Sequence, residues 1–202
     1  MEQSIPVPFL SETPAPTTGV GFGVRFGARL IDMIVHYIIW YGAAFVISIS
    51  INLYAAFTGV PTSEIYSNSD SSRLIAFFLA LFGSFAYSVF SEYISGATLG
   101  KLIFKIRVIN SEGSPISFKA ALIRSTALFV DEMFVGLVAY DNMKKTPLRQ
   151  RYGDKWANTV VVKRSSLAPS QLPSGLKFVL AFMIAVMADG LCAVVSTLIS
   201  YL

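Results

Sequence analysis

Three apolar stretches of the chain are each long enough to cross a membrane as a helix. They run from about residue 30 to 57, from 74 to 94 and from 176 to 202. A helix needs about 20 apolar residues to span the hydrocarbon core of a bilayer. The polar segment between the first two, residues 58–73, contains Glu64 and Asp70. This pattern predicts a multi-pass membrane protein whose main elements are helices.

A fourth stretch, residues 117–140, is apolar only in patches. It contains four charged residues: Lys119, Arg124, Asp131 and Glu132. Each charge at the centre of a bilayer costs about 2.5–3.5 kcal/mol on insertion scales. Of the 16 lysines and arginines, 13 lie between residues 101 and 177. If this stretch crossed, its flanking basic loops would lie on opposite sides, against the positive-inside rule. We therefore favour an interfacial or re-entrant helix over a fourth crossing.

Two short β-branched runs flank this fourth stretch, at residues 106–110 and 159–163. Such runs, bounded by turn residues, are typical of strands, and these two pair only if they lie on one side of the membrane. The predicted fold is an all-α membrane protein with three transmembrane helices, an interfacial or re-entrant helix and a short cytoplasmic strand pair resembling a β-hairpin. The positive-inside rule then gives a cytoplasmic N-terminus and an external C-terminus.

Composition agrees with this organisation. Hydrophobic residues make up 54% of the chain and charged residues only 14%, whereas soluble domains carry about 25%. Residues 1–20 contain four prolines and no basic residue, which indicates a disordered tail rather than a secretory signal; a partner-binding arm is the alternative. Residues 21–164 form the predicted membrane domain, and residues 165–175 a linker. The single cysteine, Cys192, excludes an intramolecular disulfide.

Four polar residues share one face of the first helix: Arg25, Arg29, Asp32 and His36. Their spacing repeats the helical period. Such a stripe must face protein, water or headgroups, because charge facing lipid is costly. Two interpretations remain open. The stripe either handles protons or cations, with His36 able to titrate near neutral pH, or is a structural Arg–Asp pair that orients the helix.

The other spans also contain carboxylates. Glu92 lies near the end of the second span, where it is within range of Arg25 or Arg29, and Asp189 lies near the middle of the last. Asp189 is either functional or a protonated helix contact. Serines that share the face of Glu92 predict close helix packing.

Motifs for catalysis or metal binding are missing from the sequence. No group of His, Cys and carboxylates has metal-ligand spacing, and one His with one Cys gives no nucleophile–base triad. Residues 96–101 (Gly-Ala-Thr-Leu-Gly-Lys) resemble a phosphate loop, but they are one residue short and Leu102 replaces the required Ser or Thr. We therefore expect no enzyme activity, no metal and no cofactor.

Five sequence blocks, in order, resemble the RDD family of membrane proteins. They are Val24–Asp32, Thr98–Asn110, Gly113–Ser117, Ala121–Arg124 and Arg151–Val162. The family is named after an arginine and two aspartates, which match Arg25, Asp32 and Asp154 by position. The resemblance covers about residues 21–163 and leaves the last span outside the family core, as an addition. It implies a polytopic membrane protein; some members are proposed to exchange sodium for protons, and some eukaryotic relatives resemble scaffolds.

Two functions follow from these patterns. The first is a small cation/proton transporter, an antiporter with Asp32 as the ion-binding carboxylate and His36 or Asp189 relaying protons. Three or four helices hardly enclose a pathway, so this function requires a homo-oligomer. The second is a non-catalytic scaffold or assembly factor whose basic cytoplasmic module docks a partner. Expected partners are the bilayer with its anionic headgroups and either a second copy or another membrane protein, with no nucleic acid.

Overall fold

The computed structural model describes residues 16–62, 70–132 and 137–199. Its helices and strands, labelled in chain order, are α1 (Phe22–Thr58), α2 (Asp70–Ser95), α3 (Leu99–Ile103), β1 (Ile106–Asn110), α4 (Phe118–Glu132), α5 (Leu137–Lys144), α6 (Tyr152–Trp156), β2 (Thr159–Lys163) and α7 (Gly175–Ile199). Two 3₁₀ turns, Arg164–Ser166 and Pro169–Gln171, precede α7.

Three of these helices, α1, α2 and α7, are long and apolar enough to cross a membrane. This confirms the predicted all-α membrane fold with three spanning helices. α2 packs along α7, and α1 also contacts α7. With 37 residues, α1 is about 55 Å long, which exceeds the roughly 30 Å of a hydrocarbon core. It therefore extends beyond the core at one end or at both.

The exposed surface of α1 is apolar along most of its length. Ile38, Phe45 and Phe57 are 67%, 66% and 88% exposed, as expected of side chains that face acyl chains. The buried residues of α1 are instead Arg25, Ala28 and Asp32 in its first three turns. The polar end of this helix is thus its protein-facing end.

The elements from α3 to β2, residues 99–163, form a small folded unit that we call the module. Its two strands pair antiparallel, with Val108 opposite Val161, which confirms the predicted strand pair. Both valines are fully buried and pack in one apolar cluster with Ala28 of α1 and Val89 of α2. The module is therefore part of the same core as the ends of α1 and α2. Its position on the cytoplasmic side stays a prediction.

Residues 117–140 do not form one described helix. α4 ends at Glu132 and α5 begins at Leu137, while residues 133–136 lie outside the described part. α4 buries Ala121, Arg124 and Ala127 on one face, so its charged Arg124 faces protein. α4 and α5 are not among the candidate spans of the described residues. The interfacial position of this stretch stays a prediction.

The two predicted irregular segments are partly ordered. Residues 1–15 of the predicted tail lie outside the described residues, but its last residues are bound to the module. Val20 donates its N–H to the Val161 carbonyl at 2.8 Å and is buried. In the predicted linker, residues 165–175, the Gln171 side chain donates to the Gly113 carbonyl at 2.9 Å. Each predicted segment therefore contains residues that are hydrogen-bonded to the module.

Candidate functional site

The polar stripe of α1 reaches a different element at each turn. Arg25 binds α6, Asp32 binds α3, and His36 binds α7. The sequence predicts the shared face correctly, because the helical period fixes it. It does not predict the partners, which come from elements far along the chain.

Arg25 fastens the first turn of α1 to the module. Its guanidinium binds the Asp154 carboxylate, donates to the Arg149 carbonyl at 2.9 Å and donates to the Val20 carbonyl at 3.1 Å. Arg25 is only 8% exposed and Asp154 is fully buried. Arg25 and Asp154, which match the first and last letters of the name of the family that the sequence resembles, therefore form one ion pair.

A second guanidinium, that of Arg124, joins two buried carboxylates. It donates to Glu92 at 2.9 Å, to the Thr159 hydroxyl at 2.7 Å and to the Asp154 carboxylate. Glu92 also accepts from the Lys101 ammonium at 2.5 Å. We call these five residues, Arg25, Glu92, Lys101, Arg124 and Asp154, the charge network.

The arginine that reaches Glu92 is thus Arg124, whereas the sequence suggested Arg25 or Arg29. The reason lies in the packing of α4, which buries Arg124 against the end of α2. Arg25 is occupied by Asp154 and by two backbone carbonyls. The spacing of residues within one helix cannot predict that Glu92 pairs with Arg124, because this pairing depends on how α4 packs against α2.

The network shifts the pKa of Asp154 and the pKa of Arg124. Burial alone raises the pKa of Asp154, but the charges of Arg124, Arg25 and Arg151 outweigh it and hold that pKa well below its usual range. For Arg124, burial alone lowers the pKa, and the two carboxylates outweigh it, so the net pKa is raised. Both groups therefore stay charged across the neutral range.

The Asp32 carboxylate accepts three hydrogen bonds, two from the start of α3 and one from α2. It accepts from the Thr98 hydroxyl at 2.6 Å, from the Gly100 N–H at 2.8 Å and from the Tyr87 hydroxyl at 3.3 Å. Carboxylates at helix N-termini are stabilised by unpaired N–H groups. Residues 96–101, which resemble a phosphate loop, thus bind the Asp32 carboxylate of the same chain.

Gly100 makes this contact feasible. A Cβ at this position would lie 2.0 Å from the Ala28 carbonyl oxygen, so only glycine lets α3 approach α1 so closely. Thr98 and Gly100 are partners of Asp32 that the sequence interpretation missed. Their presence in one of the family blocks is the signal that marks them.

Arg29 is half-buried and lines a small cavity of about 60 Å³ between α1, α2 and α4. Three serine side chains, Ser84, Ser88 and Ser125, line the same cavity. The serine face predicted on α2 therefore does lie at a helix contact, as expected of small hydroxyl residues.

The middle of α1 forms the second buried cluster, which we call the Asp189 cluster. His36 Nδ1 lies 2.8 Å from Asp189 Oδ2, and the Trp40 indole donates to Oδ1 at 2.8 Å. Asp189 is fully buried. A Cβ on Gly83 would lie 2.3 Å from Asp189 Oδ1, so Gly83 leaves the space that the carboxylate fills. Trp40 extends the polar stripe by one turn beyond His36, a signal that the sequence interpretation missed.

The chemical capacities of these sites differ. The carboxylates of the charge network each have cationic partners inside the chain. In the Asp189 cluster an imidazole and a carboxylate are at hydrogen-bond distance and can share a proton. Within residues 16–62, 70–132 and 137–199, no group of three or more His, Cys, Asp or Glu side chains is arranged to hold a metal ion.

Comparison with known proteins gives the family. The model described as the RDD family matches residues 20–196. The match includes most of α7, so the expectation that the last helix lies outside the family core is wrong. No curated protein and no solved structure matches the chain. Because the matched region covers most of its length, this chain belongs to the RDD family, as a membrane protein with three candidate spanning helices.

Proposed function

We propose that the chain is a non-catalytic membrane scaffold. Its three spanning helices anchor the module, and the module docks an anionic partner at the membrane surface. The observation that carries this proposal is the separation of the carboxylates. Asp32 is held by α3, Glu92 and Asp154 by the charge network, and Asp189 by His36 and Trp40.

Separate, occupied carboxylates suit a structural role better than an ion pathway. A transported cation must replace the groups that a carboxylate binds and then leave again. Breaking a buried ion pair by removing one partner costs about 3–5 kcal/mol, and Asp154 has three such partners in Arg25, Arg124 and Arg151. We therefore assign Arg25 and Asp32 a structural role, in which they hold α1 against the module.

The exposed charge of the module supports an anionic partner. Its exposed basic side chains include Lys119, Lys144, Lys145, Lys155 and Lys163. In the described part of the module, the exposed acidic side chains are Glu112 and Asp141. Such a surface attracts anionic groups in its neighbourhood. For the orientation of the chain, we propose that the module and the N-terminus are cytoplasmic and that the C-terminus is external, since basic segments stay in the cytoplasm.

Proteoliposomes test the proposed function. The purified full chain is reconstituted with an internal pH-sensitive dye, and sodium and proton gradients are applied. We expect flux equal to that of empty liposomes, both for the wild type and for Asp189→Asn. Cation-dependent proton flux that Asp32→Asn abolishes would overturn the scaffold and establish transport.

Native membranes provide the second arm of this test. Solubilised wild-type protein should migrate in a complex on native gels, and reversing the charge of Lys119 and Lys155, two exposed residues of the module, should release it. Reversing the charge of Arg73 and Lys177, which are exposed and lie outside the module, is the matched control and should leave the complex intact. A wild type that migrates alone contradicts docking of a partner.

One observation favours the second candidate, a small cation/proton transporter that acts as a homo-oligomer. The His36 imidazole contacts the Asp189 carboxylate near the midpoint of the 25-residue α7, and ionisable pairs at this depth mark proton relays in other membrane proteins. The flux assay decides between the two, because only a transporter loses its flux when Asp189 becomes Asn.

A further inference from the structure

A basic groove opens where α1 enters the module. Its volume is about 990 Å³, and three segments line it: residues 18–24, residues 144–149, and Lys163 with Ser166. Four of the lining side chains are basic, namely Lys144, Lys145, Arg149 and Lys163, and the lining residues include no Asp or Glu. The groove is thus a concentrated positive site at one end of a spanning helix.

The four cations differ in their surroundings. Lys145 pairs with Asp141 at 2.5 Å on the exposed surface, so part of its charge is neutralised. The ammonium of Lys144 lies 4.0 Å from the centre of the Tyr140 ring, which orients it without cancelling its charge. Arg149 and Lys163 are exposed. Three cations, Lys144, Arg149 and Lys163, are therefore the main source of positive potential in the groove.

The position of Arg149 is fixed by the charge network. Its φ is 45°, a left-handed conformation that costs energy outside glycine. Two contacts hold it there: its N–H donates to the Thr146 carbonyl at 3.0 Å, and its carbonyl accepts from Arg25 at 2.9 Å. A Cβ on Gly21 would lie 2.8 Å from Arg149 Nη1, so glycine at the start of α1 leaves room for the guanidinium.

The wall formed by residues 18–24 is equally well attached. Gly19 donates its N–H to the Pro147 carbonyl at 3.2 Å, and Val20 pairs with β2. A Cβ on Gly19 would lie 1.9 Å from the Leu148 carbonyl oxygen. The backbones of the two walls are therefore in close contact at Gly19. The groove is therefore preformed, which lowers the entropic cost of binding.

Apolar surface of α1 begins directly at the groove. Val24 lines it, and Phe26 and Leu30 follow on α1 with 41% and 45% of their surface exposed. A ligand that matches both surfaces has an anionic head and an apolar tail. A soluble acidic peptide matches only the first, and a zwitterionic lipid only the second.

We propose that this groove binds the phosphate headgroup of an anionic phospholipid, with the acyl chains along the lipid-facing side of α1. Arg149 and Lys163 hold the phosphate and Lys144 adds to the attraction, because guanidinium and ammonium groups are the usual phosphate donors. The inference rests on the proposed function in one respect, since it takes the module as the working surface. It adds a lipid ligand, bound in the groove, to the partner that docks on the rest of the module.

The test measures which lipids stay bound to the purified full chain. Protein in detergent is incubated with equal amounts of phosphatidylglycerol and phosphatidylcholine, and retained lipid is counted by native mass spectrometry. We expect about tenfold more phosphatidylglycerol on the wild type, since each basic residue near an anionic surface contributes a several-fold factor. Changing Lys144, Arg149 and Lys163 to Gln should reduce this preference to about twofold or less.

A matched variant controls for net charge. Changing Arg73, Lys105 and Lys177 to Gln removes the same number of charges from exposed positions outside the groove, and it should keep the tenfold preference. Thermal unfolding of all variants checks that each is folded. If the triple groove variant does not fold, Arg149→Gln alone and cross-linking with a photoreactive phosphatidylglycerol replace it, and cross-links must map to residues 18–24 or 144–149.

Three results overturn the proposal. One is equal retention of both lipids by the wild type. Another is displacement of the lipid by millimolar inorganic phosphate, which would make the site one for a free anion. The third is displacement by an acidic peptide, which would make it a protein-docking site. Lipid retention is measured without gradients, so its failure is distinct from failure of the scaffold, which the flux assay reports.

Discussion

The two buried polar clusters of α1 are built on opposite principles. The charge network combines three cations, Arg25, Lys101 and Arg124, with two carboxylates, Glu92 and Asp154, through four ion pairs. The Asp189 cluster has one carboxylate, which binds an imidazole and an indole. The charge network is held together by side chains of opposite charge. The Asp189 cluster is held together by hydrogen-bond donors that can be neutral.

The two clusters therefore stabilise the position of α1 by different kinds of interaction. Fixed charges of both signs, each within reach of the other, stabilise one arrangement and resist protonation. The Asp189 carboxylate is instead held by the side chains of His36 and Trp40. The contact of α1 with the module therefore rests on ion pairs, whereas its contact with α7 rests on hydrogen bonds. The following predictions test this contrast, from the largest expected effect to the smallest.

Arg124→Met should have the largest effect. It leaves Glu92 and Asp154 buried with fewer cations, and breaking a buried ion pair in this way costs about 3–5 kcal/mol. For a protein of this size that loss lowers the unfolding temperature by roughly 10 °C, measured by size exclusion after heating in detergent. Lys145→Met, which breaks only the exposed pair with Asp141, should leave the unfolding temperature unchanged. Equal effects of both variants would show that the network does not fasten the module.

Gly83→Ala should disturb the Asp189 cluster by crowding it. The new Cβ would lie 2.3 Å from Asp189 Oδ1, and overpacking of this kind costs about 1–3 kcal/mol. Thermal unfolding in detergent measures the loss. Gly42→Ala on α1 is the matched control, since a Cβ there meets no atom within 4 Å. A Gly83→Ala protein as stable as the Gly42→Ala protein would mean that α2 does not confine Asp189.

Acid should weaken the charge network through Asp154. Its pKa is lower in the folded chain than its ordinary value of 3.8, so its contribution is present above that value and declines as the pH falls. Below about pH 4 the unfolded chain takes up the proton first, and stability falls by roughly 1 kcal/mol per pH unit. Arg124 adds no slope, because its raised pKa keeps it charged in both states.

The comparison of wild type with Asp154→Asn isolates this effect. The free energy of unfolding is measured in urea between pH 6 and pH 3, where the advantage of the wild type should shrink steadily below about pH 4. An advantage that stays constant over this range would show that Asp154 is not held ionised by its neighbours.

Asp189→Asn should have the smallest effect. The amide keeps an oxygen for the Trp40 N–H, so the expected loss is about 1 kcal/mol, the net value of one hydrogen bond. Trp40 fluorescence reports the contact in a Trp156→Phe background, since these are the two tryptophans of the chain. Its emission should shift in Asp189→Leu and stay near the wild-type position in Asp189→Asn. Identical spectra for all three proteins would contradict the Trp40 contact.

How much of this the sequence predicts depends on the range of the interaction. Hydropathy locates the three spans, because burial in lipid is decided residue by residue. The helical period puts Arg25, Asp32 and His36 on one face. Their partners Asp154, Gly100 and Asp189 lie at least 68 positions away, and they depend on how α3, α6 and α7 dock. Charge complementarity alone does not identify the partner, since the sequence suggested Arg25 or Arg29 for Glu92 and the structure pairs it with Arg124.

The segment around Thr98 shows a second limit of sequence interpretation. Its glycines and lysine suggest a loop for an external phosphate, and the comparison with that motif fails on spacing. The physical feature behind the motif, N–H groups offered to an anion, is nevertheless present. The anion is Asp32 of the same chain, a possibility that only the packing of α3 against α1 reveals.

The distance in sequence between paired charges also determines how this protein can be made. Arg25 precedes Asp154 by 129 positions, and Glu92 precedes Arg124 by 32. At a synthesis rate of about 5–20 residues per second, Arg25 is added to the chain roughly 6–26 s before Asp154. If insertion accompanies synthesis, the first helix reaches the bilayer before this carboxylate partner is made. Its insertion then has to tolerate the charge of Arg25 until the end of the module is translated.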